Sequence, residues 1–585
     1  MDLNRDIDND PDEILWYELE PVIQGSKSSF APTRTLGFLF LLTAGIGGLQ
    51  SVFALIFSNG SAHLKDLGLS KSIQAIVWMA GPVAGMTVQP YCGIRSDQCR
   101  SSWGRRRPFI AWGAFASVVS LLGLASTKRL AVLAVRVCAG SGFSAKAISQ
   151  EAAVNVATSN ITVFFIVALN IALQPLQGGL RALIADMCPH EQQPTANAVA
   201  GIVVSASNIL SYALGYVDLQ RISVLRALGG TSQFDILCVV TSVTLAVSVG
   251  LTCLIAEERN AAPGDDGLYT DYTGEKGTRH TVRAQLWYLC TSFSRLPRQV
   301  QQVFKVQFFS WLGWFPFLFY VTTYISETYH RIYETNRTDK NDLPAVQGLN
   351  KDVQTRAART GSLGLMLFAL VALVAGTLLS AAHKHANQGK HVNALTRAFT
   401  RLTRSMRHMW IMSQILFAIC MFATAFTSSV NGVYLLVGLC GISWAITIWA
   451  PYTLISAQIV QDVEYSGDRM VSKPLMQHEE DLSEDEDEED PHDHGNGADD
   501  ACERRSGVVL GLHNVAIAGP QVVAAAACSA IFWMLEGSSK DGVGWTLRAG
   551  GLAALVAAMV AVRLQDAVHH EPSLNMVRLS DATRD

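Results

Sequence analysis

Long apolar stretches separated by short polar ones dominate the pattern of side chains along this chain. Windows of about 18 to 25 residues with few charges, long enough to cross roughly 30 Å of hydrocarbon as helix, recur about twelve times. The predicted segments, numbered 1 to 12, are 36–57, 73–93, 108–126, 161–184, 197–217, 234–256, 303–325, 361–382, 409–427, 433–455, 507–534 and 545–563. The pattern therefore predicts an all-α membrane protein with about twelve transmembrane helices.

Composition supports a membrane protein and narrows the chemistry. The chain is 49% hydrophobic and 16% charged, against roughly a quarter charged in soluble domains. Residues before segment 1 are acidic, which predicts a retained helix and not a cleaved signal peptide. The 11 cysteines have no paired spacing, so we expect no metal site and no cofactor. No nucleophile with a base or phosphate-binding loop stands at chemical spacing, which argues against an enzyme.

The positions of Lys and Arg predict which side of the membrane each loop occupies. The loops after segments 2 and 8 are both rich in basic residues, and such loops stay in the cytoplasm. This orientation places both chain termini in the cytoplasm. It also places the three N-x-[ST] sequons on the outer side, at Asn59, Asn160 and Asn336. Of these, only Asn336 is predicted to stand clear enough of the membrane to accept a glycan.

The segments divide into two halves of six. We predict an N-terminal tail (1–35), an N-terminal half (36–256), a central cytoplasmic connector (257–302), a C-terminal half (303–563) and a C-terminal tail (564–585). Dense acidic charge predicts a disordered loop at 457–505. The moderately apolar residues 128–160 predict an extracellular excursion with some helix, and a re-entrant piece stays open. Two halves of six helices are typical of a duplicated transporter.

A charged loop lies between segments 2 and 3. It reads G-x-x-x-D and then G-R-R-R, and it resembles the signature loop of the major facilitator superfamily, with Gly93, Asp97, Gly104, Arg105, Arg106 and Arg107 at the matching positions. We expect Gly93 to permit close helix approach and Asp97 to hold the interface between the halves shut. The alternative, that the arginines only fix topology, explains the charge but not Asp97 at this spacing.

The residues around this loop narrow the resemblance. Trp78 to Ile110 closely resembles the sucrose/proton symporter family, of the glycoside-pentoside-hexuronide type. Further matching stretches are QGGLRALIAD, TANAVAG, SWLGWFPF and GLHNVAIAGPQ, and TTYISE is most similar to fungal members. The resemblance implies the major facilitator fold and alternating-access transport of sucrose or a related α-glucoside, with protons as a possible second substrate.

Segment 4 carries a polar stripe. Its members are spaced 4, 3 and 4 residues apart and so share one helix face: Asn170, Gln174, Gln177 and Arg181. Polar side chains inside a membrane usually face the bundle interior or a water-filled cavity. Amides and a guanidinium suit the hydroxyls of a sugar. The resemblance implies that Arg181 acts in sugar and proton transport, while the alternative is that it only extends to the membrane interface.

The chain departs from the family at its usual acidic positions. Asn170 stands where many members carry an aspartate taken to be the proton acceptor, and Ile56 and Val321 stand at two other such positions. Two titratable residues are candidate replacements, His513 in segment 11 and Glu327 near the outer end of segment 7. The alternatives are that His513 is a packing residue and that Glu327 is extracellular. Proton coupling is therefore in doubt.

Two tryptophans complete the predicted site. Trp314 and Trp444 are expected to stack on the sugar, and the alternative for each is the lipid interface. The sequence thus predicts a monomeric sugar transporter, in the plasma membrane and not an internal one, with no nucleic-acid partner. A nutrient sensor that has kept the fold, or an uncoupled sugar facilitator, remains as an alternative.

Overall fold

The structure is a computed structural model of the chain. It describes residues 34–97, 99–140, 150–189, 192–229, 232–256, 258, 293, 296–338, 347–387, 405–471, 496–538 and 541–565. All regular secondary structure within these ranges is helical. We use "outer" for the end of the bundle that the distribution of Lys and Arg predicts to be extracellular, and "inner" for the opposite end.

The N-terminal half contains ten α-helices. They are α1 (Leu36–Leu55), α2 (Ser61–Asp66), α3 (Lys71–Trp78), α4 (Ala80–Asp97), α5 (Arg107–Ala125), α6 (Thr127–Gly140), α7 (Gln150–Met187), α8 (Gln193–Tyr216), α9 (Ser223–Gly229) and α10 (Gln233–Ile255). A π-helical turn, Ile56–Gly60, joins α1 to α2, and a short 3₁₀ turn, Leu219–Arg221, precedes α9.

The described residues of the C-terminal half form six α-helices. They are α11 (Arg298–Thr338), α12 (Gln347–Asn387), α13 (Met406–Ala423), α14 (Val430–Val471), α15 (Asn496–Met534) and α16 (Gly542–Ala561). Helix α14 extends into the segment predicted to be a disordered acidic loop, and α15 begins within it. Residues 472–495, the middle of that segment, lie outside the described residues.

Eleven of the twelve predicted segments are found as single apolar helices long enough to cross a membrane. Segment 2 is the exception, because α3 ends at Trp78 and α4 begins at Ala80. Polar residues and Pro90 within α4 also lower its hydropathy. The predicted excursion after segment 3 contains helix as expected, since α6 runs from Thr127 to Gly140 and packs along α7.

The two halves repeat one scheme of helix packing. In the N-terminal half α1 packs on α8 and α10, and α5 packs on α7 and α10. The corresponding helices of the C-terminal half make the same pairs: α11 packs on α15 and α16, and α13 packs on α14 and α16. The halves meet where α8 lies against α12, and where α3 and α4 lie against α15. This repeat is the structural counterpart of the predicted duplication.

Small residues allow the closest crossings within each half. A Cβ added at Gly113 of α5 would lie 2.9 Å from the backbone nitrogen of Leu176 on α7. A Cβ added at Gly313 of α11 would lie 2.6 Å from the carbonyl oxygen of Gly550 on α16. Helix backbones approach this closely only where side chains are absent, as is common for helices packed in membranes. These contacts keep each half rigid around the interface between them.

Candidate substrate-binding site

The polar stripe on α7 divides into two parts. Asn170 and Gln174 are buried, and each amide donates to a carbonyl oxygen one turn earlier, at 2.8 and 2.9 Å. Their amide oxygens face α4, because a Cβ at Gly81 would lie 2.7 Å from Asn170 Oδ1 and one at Gly85 would lie 3.5 Å from Gln174 Oε1. In this conformation these two side chains therefore lie in the contact between α7 and α4.

The other part of the stripe is open to solvent-accessible space. Gln177 is half-buried and Arg181 is exposed. No hydrogen bond or ion pair of Arg181 is found among the described residues, so its predicted role in sugar binding and the alternative, extension to the membrane interface, both stay predictions.

His513 lies in a buried polar setting on α15. Its side chain is 1% exposed, and its Nε2 lies 3.2 Å from the amide nitrogen of Gln307 on α11. The ring of Tyr452 on α14 packs edge-on against the imidazole, with 4.7 Å between the ring centroids. Three helices of the C-terminal half thus hold the imidazole in place.

A second polar contact crosses between the halves nearby. The amide of Asn514 on α15 donates to Gln89 Oε1 on α4 at 3.0 Å, and both side chains are half-buried. The sequence analysis did not select Gln89, Gln307 or Asn514. The criterion that selected Asn170, a polar side chain within an apolar segment, also applies to each of them.

The two tryptophans predicted to bind substrate lie in one aromatic cluster. Trp314 is 0% exposed, and its ring lies 4.2 Å from Phe417 and 4.9 Å from Trp444, measured between centroids. In this conformation Trp314 has no face open to a substrate. Trp444 is half-buried and also contacts Trp311, at 5.7 Å. The substrate-binding role of Trp444 stays a prediction, and Trp314 packs against its ring.

The positions that carry acidic residues in many family members are apolar and enclosed here. Ile56 begins the π-helical turn and is 8% exposed, and Val321 on α11 is 1% exposed. Neither position offers a proton-binding group, so the question of coupling passes to His513 and Glu327 as the sequence predicted.

Glu327 closes the outer end of the bundle. Its carboxylate lies 2.7 Å from Lys71 Nζ of α3 and 3.8 Å from Lys65 Nζ of α2. Because α11 belongs to one half and α2 and α3 belong to the other, these ion pairs join the halves. In this conformation Glu327 takes part in a charged contact that must break when the outer end opens.

Two other contacts, here called seams, also join the halves at the outer end. Arg359 of α12 pairs with Asp218 beyond α8, at 3.2 Å. The hydroxyls of Ser72 on α3 and Ser529 on α15 lie 2.9 Å apart. At the inner end, by contrast, the hydrogen bond from Gln299 joins it to Gln565 of the same half. The described contacts therefore correspond to a transporter closed on its outer side.

The arginines of the signature loop pair within the N-terminal half. Asp186 at the end of α7 accepts from Arg106 Nε at 2.9 Å and lies 3.0 Å from Arg105 Nη2. Glu258, which follows α10, accepts from the backbone nitrogens of Arg106 and Arg107 at 2.8 and 3.1 Å. The sequence analysis selected neither carboxylate, because each is remote from the loop along the chain.

Two glycines of the loop have different roles. Gly104 has a φ of 114°, a conformation that favours glycine, and a Cβ there would collide with the Glu258 carboxylate. A Cβ at Gly93 would meet no atom within 4 Å among the described residues. The expectation that Gly93 permits close helix approach is therefore wrong for this conformation, and Gly81 has that role on α4 instead.

Two further predicted residues have helical backbones but side chains outside the described part. Asp97 is the last residue of α4, and its contact with the other half stays a prediction. Asn336 lies within the last turn of α11, and its glycosylation also stays a prediction. Asn59 is buried within the π-helical turn. This agrees with the expectation that Asn59 lies too close to the membrane to accept a glycan.

Comparison with known proteins shows which fold this architecture has. No family model matches the chain. In solved structures, the fold is similar to a partially occluded, inward-open conformation of the xylose transporter XylE from E. coli, with a TM-score of 0.51, 10% identity and coverage of 90% of this chain and 98% of that one. The chain is a multi-pass membrane protein with the major facilitator fold.

The chain is also similar in sequence to two characterised sugar transporters. The chain is 27% identical to the general alpha-glucoside permease of Schizosaccharomyces pombe over 90% of this chain and 93% of the permease. It is 28% identical to sucrose transport protein SUT1 of Oryza sativa subsp. japonica, over 58% of this chain and 60% of that protein. The match therefore spans less than two thirds of the rice protein. These relatives confirm the predicted resemblance, and they are transporters and not enzymes.

Proposed function

We propose that this protein carries sucrose or a related α-glucoside across a membrane by alternating access, with its substrate held between the two halves. The observation that carries the proposal is the polar cluster where the halves meet. Gln89 of the N-terminal half contacts Asn514 of the C-terminal half at 3.0 Å, and His513, the residue before Asn514 on α15, contacts Gln307 at 3.2 Å. Polar groups at this depth are costly unless they face water or a polar ligand.

The chemistry of this cluster suits a sugar. Each sugar hydroxyl both donates and accepts a hydrogen bond, and amides and imidazole likewise offer both functions. The guanidinium of Arg181 adds donors in a fixed planar arrangement. The printed names of the two relatives, an alpha-glucoside permease and a sucrose transport protein, support an α-glucoside substrate.

The closed outer end supports alternating access as the mechanism. Three seams between the halves are closed there, at Lys71 and Glu327, at Asp218 and Arg359, and at Ser72 and Ser529. In the opposite state these contacts open and the inner end closes around the same central cluster. The plasma membrane, cytoplasmic termini and a monomeric state belong to the same proposal.

The test is uptake of radiolabelled sugar by the purified full-length protein in liposomes. We expect sucrose or another α-glucoside to be transported, and Arg181→Ala to lose most uptake while the protein stays folded. Loss of a hydrogen bond to a charged group costs about 1.5 to 3 kcal/mol, or roughly 10- to 150-fold in affinity. Arg221→Ala is the control, because that arginine is 82% exposed near the outer end.

Absence of any α-glucoside uptake by the wild type would overturn the proposed function. Normal uptake by Arg181→Ala with unchanged apparent affinity would instead place the substrate elsewhere in the bundle. A nutrient sensor would bind sugar without moving it, so binding measured beside uptake separates that alternative.

A further inference from the structure

Helix α11 carries a face of buried polar atoms that have no hydrogen-bond partner among the described residues. The atoms are Gln307 Oε1, Ser310 Oγ, Trp311 Nε1 and Trp314 Nε1. Their residues are between 0% and 8% exposed. The spacing of 3, 1 and 3 residues places all four on one side of the helix. Buried polar atoms normally find partners, so an unpaired group on a native helix indicates a missing ligand or water.

Several hydroxyls in the membrane-spanning helices behave differently from Ser310, although Thr323 on α11 and Ser362 on α12 are also unpaired among the described residues. Ser117, Thr162 and Ser242 each donate to the carbonyl oxygen four residues earlier, at 2.7 to 2.8 Å. Ser310 makes no such bond within the described structure. Its hydroxyl is therefore available to another molecule, although its helix offers the same backbone acceptor in principle.

The unpaired face adjoins the cluster that the halves share. The amide nitrogen of Gln307 contacts His513, and Asn514, the next residue on α15, contacts Gln89 of the opposite half. Trp311 lies beside the half-buried Trp444. Gly313 lies about 110° around α11 from the middle of this face, where it packs on Gly550 of α16.

Trp314 differs from the other three residues of the face. Its ring is enclosed by Phe317, Phe368, Phe417 and Trp444. A sugar could reach its nitrogen only if this aromatic cluster separated. Among the described residues, no such set of four rings surrounds Gln307, Ser310 or Trp311. The proposal therefore rests on these three residues.

We propose that Gln307, Ser310 and Trp311 bind the sugar from the C-terminal half. The Trp311 ring N–H donates to one sugar hydroxyl, Gln307 Oε1 accepts from another, and the Ser310 hydroxyl does either. This subsite rests on the proposed function and adds to it residues of α11. The pairing of sugar with both halves also gives a reason why bound substrate draws them together.

An unpaired buried atom alone does not mark the subsite. Trp410 and Gln414 on α13 also carry unpaired atoms and are fully buried. Trp410 belongs to a separate apolar cluster with Val303 and Phe304. It therefore provides a matched control, a buried tryptophan with an unpaired N–H on a different helix.

The experiment measures binding and uptake of sucrose and of its mono-deoxy derivatives by the full-length protein in liposomes. The variants are Trp311→Phe, Ser310→Ala and Gln307→Met, with Trp410→Phe as the control. We expect each of the first three to weaken sucrose binding roughly tenfold, as loss of one neutral hydrogen bond predicts. For one deoxy derivative per variant, which lacks the matching hydroxyl, binding should not weaken further.

The outcomes separate this inference from the proposed function. If the wild type binds and carries sucrose but Ser310→Ala and Trp311→Phe weaken every derivative equally, or not at all, the face binds water only and the inference is wrong. If Trp410→Phe weakens binding as much as Trp311→Phe, the effect is one of packing. If the wild type handles no α-glucoside, the proposed function itself fails.

Discussion

Lys71 Nζ lies 2.7 Å from a carboxylate oxygen of Glu327, and this ion pair joins the two halves at their outer ends. Its side chains are 34% and 22% exposed, so solvent screens the attraction. The pair is one of several contacts between the halves at the outer end among the described residues, beside Asp218 with Arg359 and Ser72 with Ser529. Its strength therefore affects how often the protein opens outward.

Glu327→Gln should raise the fraction of protein that is open on the outer side. A partly exposed ion pair is worth about 0.2 to 1 kcal/mol, which corresponds to a shift of up to roughly fivefold in population. The measurement is the rate at which a membrane-impermeant maleimide labels a cysteine placed at Ala62. Exchanging the charges, with Lys71→Glu and Glu327→Lys together, should restore the slow rate.

Arg548→Gln provides the control for this experiment, since Arg548 pairs with Asp541 of its own half. Its labelling rate should equal that of the wild type. Equal labelling rates in Glu327→Gln and wild type would contradict a closing role for the ion pair.

Gly81→Ala should destabilise the protein, while Gly85→Ala should not. A Cβ at Gly81 would lie 2.7 Å from Asn170 Oδ1, whereas one at Gly85 would make only ordinary contacts at 3.5 Å or more. Overpacking a buried contact costs about 1 to 3 kcal/mol. Both changes bring the same gain in helix propensity, so their difference in melting temperature isolates the collision.

Removing the carboxamide should rescue the Gly81 variant. With Asn170→Ala in place, Gly81→Ala should no longer lower the melting temperature relative to Asn170→Ala alone. A drop of the same size in both backgrounds would mean that Asn170 does not lie against Gly81.

Asp186→Asn should lower stability without changing insertion into the membrane. The change keeps every positive charge of the loop, but the Arg106 side chain, 10% exposed, loses its charged partner. Loss of such a bond costs about 1.5 to 3 kcal/mol. Thermal unfolding in detergent measures the change, and Arg105→Gln should have a smaller effect because Arg105 is 44% exposed.

If Asp186→Asn unfolds at the wild-type temperature, the arginines act on topology alone. That result would favour the simpler explanation of the loop, in which its charge only keeps it in the cytoplasm.

Proton coupling should be weak or absent in the wild type. Asn170 cannot titrate, and Ile56 and Val321 are apolar at the other usual acidic positions. If coupling is present, we expect His513 to carry it, because it lies beside Gln307. The measurement is alkalinisation of the medium when sugar is added to cells that express the protein.

Two variants separate the possible causes. His513→Gln should abolish any alkalinisation that the wild type produces, and Asn170→Asp should increase it. Strong proton uptake that persists in His513→Gln would rule out this assignment and shift attention to Glu327.

The sequence alone determined the architecture of this protein. Hydropathy located eleven of the twelve segments as single apolar helices, since the length of an apolar run and its lack of charge are properties of neighbouring residues. The division into halves followed from the repeated basic loop, and the motif from Trp78 to Ile110 indicated the family. Helical spacing predicted that Asn170 and Arg181 share one face of a helix, and in the structure Asn170 is buried while Arg181 is exposed.

The tertiary structure decided which polar residues meet. Gln307 and His513 are 206 residues apart in sequence, and Arg105 and Asp186 are 81 apart. Whether Asn170 faces α4 or the substrate depends on how α7 is rotated against its neighbours. That rotation is set by packing across several helices at once, which one segment's periodicity does not contain.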